Sequence, residues 1–484
     1  MGVLGILIAL TLLIIFAFRG WSVLLLAPGA ALIAAFISGE PLLAHWTQTF
    51  MNGAARFIAQ FFPLFLLGAL FGKLMEDSGS VSTIATFMTQ RLGTKHALLA
   101  VVLAGALATY GGVSLFVVFF VLAPMAESLF KAAMIPRRLM PAAIVLGTST
   151  FTMSALPGTP SIQNAIPMPF LGTTLFAAPG LGIIASVVML AFGMWWLKRA
   201  EAEAMRKNEP FGDDTFLDMN SIANNQLIRG RATTDHEFDT AEITHGMPSQ
   251  SAPSITLALL PMFIVICVNF LMALFILPRL DFSFLAKEEW GATSYSVVGG
   301  VWSIVIALAS AIFILILINR KRLPNLRESM DAGANASVLP VLTVASLVGF
   351  GAVIAALPAF TVVRDWVLGL GGGPLVSLAA ATNILSAVTG SASGGLSIAL
   401  ESLGGTYLNL AQQYGIEPAL LHRVAVISSG TLDTLPHNGA IVTLLAVCQS
   451  THRKSYLDVI IVGIIGPILA LVTVILLGAK FGSF

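Results

Sequence analysis

Repeated apolar segments of bilayer-spanning length constrain the fold of this chain more than any other feature of its sequence. Of its 484 residues, 57% are hydrophobic and only 10% are charged, whereas a soluble protein carries about 25% charged residues. This composition predicts an all-α integral membrane protein in a lipid bilayer. A net charge of +1 does not favour a nucleic-acid partner. Cys267 and Cys448 both lie in apolar runs, which predicts neither a disulfide framework nor a metal site, and no motif indicates a cofactor.

The apolar runs divide into two halves of five predicted spans each. The first span lacks a basic start and a small-residue cleavage site before Arg19, so we expect it to be retained and not removed as a signal peptide. The fourth and ninth spans are interrupted and predict broken helices. The ten spans are Val3–Phe18, Trp21–Ile37, Phe57–Leu74, Leu139–Phe176, Ala178–Leu197, Ile255–Leu277, Val297–Ile318, Ala336–Leu357, Leu421–Val447 and Leu457–Leu477.

Two further apolar stretches have a Gly/Ser-rich centre and predict re-entrant hairpins. The centre of hairpin 97–129 reads TYGGVS, and that of hairpin 375–410 reads TGSASGGLS. Segment 198–254 holds sixteen of the forty-nine charged residues, which predicts a solvated cytoplasmic linker with no catalytic role. The predicted domains are therefore a first half (1–197), the linker and a second half (255–484).

The distribution of lysine and arginine predicts the orientation in the membrane, because positive residues concentrate on the cytoplasmic side. If both termini lie outside, the short cytoplasmic loops hold thirteen of these residues and the outside loops hold five. The opposite orientation would reverse this bias. The sequence therefore predicts a multi-pass protein with its N- and C-termini outside.

The two halves repeat the same landmarks at an offset of about 280 residues. GGVS at Gly111–Ser114 recurs as GGLS at Gly394–Ser397, and the Leu-Pro break at Pro157 recurs at Pro436. Because an odd number of spans separates equivalent points, the second copy is predicted to be inverted in the membrane. Glycine and proline also ease helix packing, but the shared order favours a repeat. Inverted repeats with paired hairpins and broken helices are typical of secondary transporters.

Glycines, hydroxyls and amides at the hairpin centres and helix breaks form the predicted substrate site. A carboxylate needs N–H and O–H donors, and the start of a helix supplies free N–H groups at the positive end of its dipole. An isolated hydroxyl in a membrane helix often donates to its own backbone instead. The predicted substrate-binding residues are Gly111, Gly112, Ser114, Thr159, Ser161, Asn164, Gly394, Gly395, Ser397, Thr434, His437 and Asn438.

The stretch DTLPHNG, Asp433–Gly439, holds the predicted proton-coupling pair, Asp433 and His437. Histidine is the side chain that titrates nearest neutral pH, and the two groups are expected to titrate as a pair. A structural alternative is that Asp433 caps the second half-helix and His437 donates to a free carbonyl. Glu401 and Glu127 are further candidates for carrying the proton.

Arginine is the usual partner for a carboxylate, and Arg423 is the only arginine inside a predicted span. Because it lies close to Pro418 at the start of its helix, we expect it to reach the outer interface or to pair with Glu417. A role as a ligand for the substrate is the alternative. Without an arginine, carboxylate binding would rest on neutral donors and helix dipoles.

Three segments, SGGLSIAL, SSGTLDTLPHNGAIVTLLAV and GTPSIQNAIP, resemble the gluconate permease (GntP) family of the ion-transporter superfamily, and in particular its hydroxybutyrate-permease-like branch. The resemblance covers nearly the whole chain apart from the linker. It implies proton-coupled symport of a small hydroxy-monocarboxylate across a bacterial inner membrane, by an elevator-type transporter with a homodimeric scaffold. The segment ALPGTPSIQN (155–164) is less polar than in gluconate carriers, which favours a 3-hydroxybutyrate-like acid over gluconate.

Other functions remain open beside proton symport. Sodium coupling is the alternative within transport, because hairpin carbonyls and hydroxyls can also bind sodium. An intramembrane hydrolase would use Ser429, Asp433 and His437, but neither a Gly-x-Ser-x-Gly nor a His-Glu-x-x-His motif accompanies them. A channel is the third class. We expect a carrier and not an enzyme.

Overall fold

The computed structural model describes residues 2–18, 21–113, 115–211, 249, 251–369, 371–436 and 438–484. All regular structure in these residues is helical, so the predicted all-α class is confirmed. Two predicted site residues, Ser114 and His437, lie outside the described residues, as does most of the predicted linker.

The part of the chain up to residue 211 contains the first hairpin and the first broken helix. Its last helix continues past the predicted end at Leu197 and finishes at Arg206. The helices are α1 (Gly2–Phe18), α2 (Val23–Ser38), α3 (Leu42–Asp77), α4 (Ser80–Leu92), α5 (Ala97–Tyr110), α6 (Leu115–Ala132), α7 (Met140–Thr148), α8 (Phe151–Ser154), α9 (Ile162–Ala165), α10 (Pro167–Leu171) and α11 (Pro179–Arg206).

The part from residue 251 onward contains the second hairpin and the second broken helix. Short helices α4 and α15, which precede the two hairpins, were not predicted. The helices of this part are α12 (Ile255–Arg279), α13 (Tyr295–Ile318), α14 (Leu326–Ala356), α15 (Phe360–Leu368), α16 (Gly373–Thr389), α17 (Ala392–Tyr414), α18 (Pro418–Thr431), α19 (Gly439–Val447) and α20 (His452–Phe481).

Six helices within the described residues are long and apolar enough to cross a membrane, namely α3, α11, α12, α13, α14 and α20. A seventh span results if α4 and α5, which meet at an angle of 102°, are counted as one bent span. The predicted first and second spans coincide with the shorter apolar helices α1 and α2. The two predicted interrupted spans are indeed broken into short helices.

Two groups of helices meet in the interior. Long helices α3 and α14 pack against each other, and α2 and α13 pack beside them. The hairpin helices α16 and α17 pack with α18, while α11 packs against α20 and α5 against α7. Contact between α14 and α17 joins the two groups. The hairpin tips and the helix breaks therefore lie against the long helices.

Both hairpins turn at a glycine in the left-handed region, where a side chain would strain the backbone. In the first hairpin α5 ends at Tyr110 and Gly112 has φ of 96°. In the second, α16 ends at Thr389 and Gly390 has φ of 63°. The turn between the helices is short in both hairpins, which brings the start of each second arm close to the end of the first.

Candidate substrate and coupling site

The tip of the first hairpin lies between α12 and the first helix break. A Cβ atom on Gly111 would lie 2.0 Å from Met262 Cε, so this glycine makes room for α12. A Cβ atom on Gly112 would lie 3.2 Å from Pro160 Cγ. These two glycines allow close packing of the tip, and Gly112 also lines a cavity.

The tip of the second hairpin is equally tightly packed. A Cβ atom on Gly394 would lie 2.4 Å from Leu347 Cδ1, and one on Gly395 would lie 2.2 Å from Ser386 N. Ser391 caps α17 by accepting a hydrogen bond from Gly394 N at 3.0 Å. Ser397 is fully buried, and its hydroxyl has no hydrogen-bond partner among the described residues.

Asp433 and Asn438 attach the second helix break to the tip of the second hairpin. Asp433 Oδ1 accepts hydrogen bonds from Ala392 N at 2.8 Å and from Asn438 Nδ2 at 2.9 Å. Asn438 Nδ2 also donates to Gly390 O at 2.7 Å, and its Oδ1 caps α19 by accepting from Ala440 N at 2.8 Å. The carboxylate of the predicted coupling pair therefore binds the start of α17, which is the positive end of that helix.

Two residues of α20 bind the carbonyls that the second break leaves free. Tyr456 donates to Thr434 O at 3.1 Å, and His452 Nε2 lies 2.8 Å from Pro436 O. The Thr434 hydroxyl is buried without a partner among the described residues. It faces Gly463, where a Cβ atom would lie 2.7 Å from Thr434 Oγ1.

Asn164 holds the first helix break together. Its Nδ2 donates to Thr159 O at 3.1 Å and to Leu175 O at 3.0 Å. Ser161 caps the short helix α9 by accepting from Asn164 N at 3.3 Å, and its hydroxyl donates to Met153 O at 2.7 Å. The Thr159 hydroxyl is buried and lacks a partner among the described residues.

His422 extends this network into the second half of the chain and was missed by the sequence analysis. Its Nε2 lies 3.1 Å from Asn164 Oδ1, and its Nδ1 lies 2.6 Å from the Thr173 hydroxyl. The two hydrogen bonds that Asn164 Nδ2 donates fix which side-chain atom is the oxygen. Because this oxygen can only accept, His422 Nε2 donates to it and carries the proton. The available signal was a polar pair, His422 and Arg423, inside an apolar run.

The prediction for Arg423 is wrong. Arg423 is 0% exposed and donates to Ala155 O and Ala177 O instead of pairing with Glu417. Helix α18 is enclosed by α16, α17 and α20, so the side chain has no route to the membrane interface. Arg423 therefore joins α18 to both ends of the first break.

The other two candidate proton carriers form ion pairs. Glu401 lies 3.5 Å from Arg56 of α3. Glu127 binds Arg137, which also donates to Gln449 Oε1 at 3.1 Å. Each carboxylate therefore has an arginine partner in the structure.

A cavity of about 210 Å³ lies between the long helices α3 and α14 and the elements that carry the predicted site. Of the predicted residues, Gly112 and Ser161 line it, and Ser393, next to Gly394, lines it from the second hairpin. The other described site residues do not line it. No residue in this lining is charged; the polar ones are Thr109, Thr148, Thr152, Ser161, Gln163, Ser337 and Ser393.

One main-chain N–H group in the first turn of α17 lies at this cavity without a hydrogen-bond partner among the described residues. The first turn of a helix has N–H groups without intrahelical partners. In α17, Ala392 N donates to Asp433 and Gly394 N donates to Ser391. The Ser393 N–H has no such partner among the described residues, and Ser393 lines the cavity.

Comparison with known sequences identifies a permease family. A model of the family described as GntP family permease matches residues 1–435. The uncharacterized transporter YxjC of Bacillus subtilis (strain 168) is 40% identical over 467 residues, which are 95% of this chain and 95% of YxjC. The high-affinity gluconate transporter of Escherichia coli (strain K12) is 26% identical over 201 residues, which are 40% of this chain and 42% of that protein.

Comparison with solved structures finds two transporters of similar fold. The YdaH transporter of Alcanivorax borkumensis has a TM-score of 0.55 at 13% identity, covering 91% of this chain and 89% of that chain. MtrF of Neisseria gonorrhoeae, from a class of antimetabolite efflux pumps, has a TM-score of 0.54 at 16% identity, covering 91% of this chain and 85% of that chain. At these identities the likeness concerns the fold alone.

Proposed function

The chain belongs to the GntP permease family and is a multi-pass membrane transporter, and from this premise we propose that it carries a small hydroxy-monocarboxylate across the bacterial inner membrane by proton symport. A 3-hydroxybutyrate-like acid is favoured over gluconate. The proposed role is transport without catalysis. The Ser429 hydroxyl of the hydrolase alternative donates to Val426 O at 2.8 Å and so does not support that role.

The uncharged cavity carries this proposal. Its volume of about 210 Å³ is below the 300–1,000 Å³ typical of pockets for drug-sized ligands, which supports a short acid. The Ser393 N–H and the Gln163 amide are the proposed donors to the carboxylate. The Ser161 oxygen, whose own hydrogen is donated to Met153 O, is the proposed acceptor for the substrate hydroxyl. The apolar side chains of Leu64 and Val344 in the same lining favour an acid with few hydroxyl groups.

The order of elements supports an inverted repeat and an elevator mechanism. A long helix, a short helix, a helical hairpin, a broken helix and a final long helix follow one another from α3 to α11 and again from α14 to α20. In the proposed mechanism, α3 and α14 belong to the scaffold, and the hairpins and breaks form the moving unit. The proposed domains remain 1–197, the linker 198–254 and 255–484.

Contacts between distant segments agree with the pairs of residues that the proposed topology puts on the same side, while the proposal that both termini lie outside rests on the distribution of lysine and arginine. Gly180 N, at the start of α11, donates to Phe484 O at 2.7 Å, and both residues lie at the side assigned to the outside. Arg138 Nη1 donates to Asp458 Oδ2 at 2.6 Å, and both lie at the side assigned to the cytoplasm. The homodimer implied by the wider superfamily stays a prediction.

Asp433 is the proposed proton carrier within this mechanism, with His437 as its partner. The ionised carboxylate attracts the start of α17 and the Asn438 amide. Protonation would weaken both interactions and loosen the second hairpin from the second break. A proton would thereby change the contacts of the tip whose Ser393 lines the cavity.

Sodium coupling is the second candidate, because three buried hydroxyls in the second hairpin lack partners among the described residues. They are Thr382, Ser386 and Ser397. Oxygen atoms of hairpins and broken helices bind sodium in secondary transporters.

Purified protein in liposomes tests the function and its coupling. We expect labelled 3-hydroxybutyrate to accumulate when a pH gradient alone is imposed, and unlabelled 3-hydroxybutyrate to compete better than gluconate. Accumulation driven only by a sodium gradient would reject proton coupling. Preferential competition by gluconate would reject the proposed substrate.

A further inference from the structure

Arg423 is a fully buried cation held by main-chain carbonyls. Its Nε and Nη2 donate to Ala177 O at 3.1 and 2.6 Å, and its Nη1 donates to Ala155 O at 3.1 Å. Its exposure is 0%. No carboxylate among the described residues forms an ion pair with it.

A buried guanidinium without a counter-ion is costly, because carbonyl dipoles replace only part of the hydration that the charge loses. Ionisable groups inside membrane proteins commonly face a partner or a functional cavity. The carbonyl contacts explain how Arg423 is held, but they leave a full positive charge uncompensated. An anion brought near Arg423 would supply the missing compensation.

Arg423 lies close behind the wall of the cavity. Its acceptor Ala155 follows Met153 by two residues, and Met153 lines the cavity. Helix α18 itself reaches this wall, because a Cβ atom on Gly430 would lie 3.3 Å from Met153 Cε. Two residues of main chain and one hydrogen bond place the charge within about 10 Å of the cavity.

We propose that Arg423 makes the cavity selective for anions through its electric field, without touching the ligand. This inference rests on the proposed function, since it concerns the same carboxylate in the same cavity. At about 10 Å and an effective dielectric constant of about 20, two unit charges interact strongly enough to change an affinity about tenfold. The uncharged lining supplies the contacts, and Arg423 supplies the preference for negative charge.

Ser186 on α11 offers a way to cancel this charge without altering Arg423. A Cβ atom on Gly182 would lie 3.3 Å from Arg423 Cζ. Ser186 is buried one turn later on the same face, and its hydroxyl donates to Gly182 O at 2.8 Å. Ser186→Asp therefore introduces a carboxylate near Arg423 while its three hydrogen bonds remain, and Ser186→Asn is the matched neutral control.

The measurement is the dissociation constant of 3-hydroxybutyrate and of its neutral amide, 3-hydroxybutyramide, for the purified full chain. We expect the wild type and Ser186→Asn to prefer the acid by about tenfold. Ser186→Asp should lose this preference through weaker binding of the acid, with the affinity for the amide unchanged. Arg423→Lys, which keeps the charge, should retain the preference even if its melting temperature falls.

Three results would reject the proposal. The first is that Ser186→Asp still prefers the acid as strongly as the wild type. The second is that Ser186→Asp loses affinity for the acid and for the amide equally. The third is that Arg423→Lys is folded but no longer prefers the acid. If the wild type binds the acid and any of these results is found, the proposed function survives and the role of Arg423 fails. If the wild type binds neither ligand, both fail together.

Discussion

The two helix breaks free similar main-chain carbonyls but satisfy them in different ways. In the first break, Ala155 O and Ala177 O accept from Arg423, and Thr159 O accepts from Asn164. Both donor side chains are fully buried. In the second break, Thr434 O and Pro436 O interact with Tyr456 and His452, and both Pro436 and His452 are exposed.

This difference indicates which break can change during transport. A buried charge-assisted contact is expensive to open, because no water replaces the lost hydrogen bond. An exposed carbonyl exchanges its partner for water at small cost. We therefore propose that the first break is a fixed joint between the halves of the chain, and that the second would rearrange if Asp433 takes up the coupled proton.

Removing the charge of Arg423 at the first break should lower the stability of the protein more than any other change predicted below. Arg423→Gln loses most of three charge-assisted hydrogen bonds and leaves Ala155 O and Ala177 O without partners, which should lower the free energy of unfolding by about 3 kcal/mol. The melting temperature of the purified protein in detergent measures this. A change as small as that of the Tyr456 variant below would show that the first break is not a fixed joint.

Neutralising the carboxylate at the second break should affect coupling more than folding. Asp433→Asn is close to isosteric and can still accept from Ala392 N, but it cannot exchange a proton. We expect accumulation driven by a pH gradient to fall about tenfold or more, which corresponds to about 1.4 kcal/mol, while counterflow between compartments of equal pH continues. Full pH-driven accumulation by this variant would remove Asp433 from the coupling mechanism.

The sequence predicted where both breaks lie but not which side chains bind the main-chain carbonyls that the breaks leave free. Leu-Pro pairs and Gly/Ser-rich centres interrupt apolar runs, and local chain chemistry alone requires a turn there. The partner of Arg423 depends instead on packing, because Arg423 and Ala177 are 246 residues apart in the chain. Packing also decides which of the predicted residues line the cavity. Gly112 and Ser161 do, whereas Gly394 and Gly395 allow close packing of the second hairpin.

Removing one hydrogen bond between α20 and the second break should lower the stability of the protein by a smaller amount. Tyr456→Phe removes the hydrogen bond to Thr434 O and keeps the ring. Single interhelical hydrogen bonds in membrane proteins contribute about 0.6 kcal/mol on average, so the melting temperature should fall only slightly. Thr473→Val, which removes an exposed hydroxyl elsewhere on α20 that donates to Leu469 O, is the matched control.

The smallest effect is expected at His452. Its ring is exposed and lies 2.8 Å from Pro436 O, so water can take its place in His452→Ala with a loss well below about 1 kcal/mol. Because His452 lies beside the same break as Asp433, it also tests whether coupling is confined to that carboxylate. We expect His452→Ala to keep both pH-driven accumulation and counterflow. If accumulation is lost while counterflow remains, as predicted for Asp433→Asn, the proton path passes through His452. The exposed side chain that binds Pro436 O would then also take part in proton coupling.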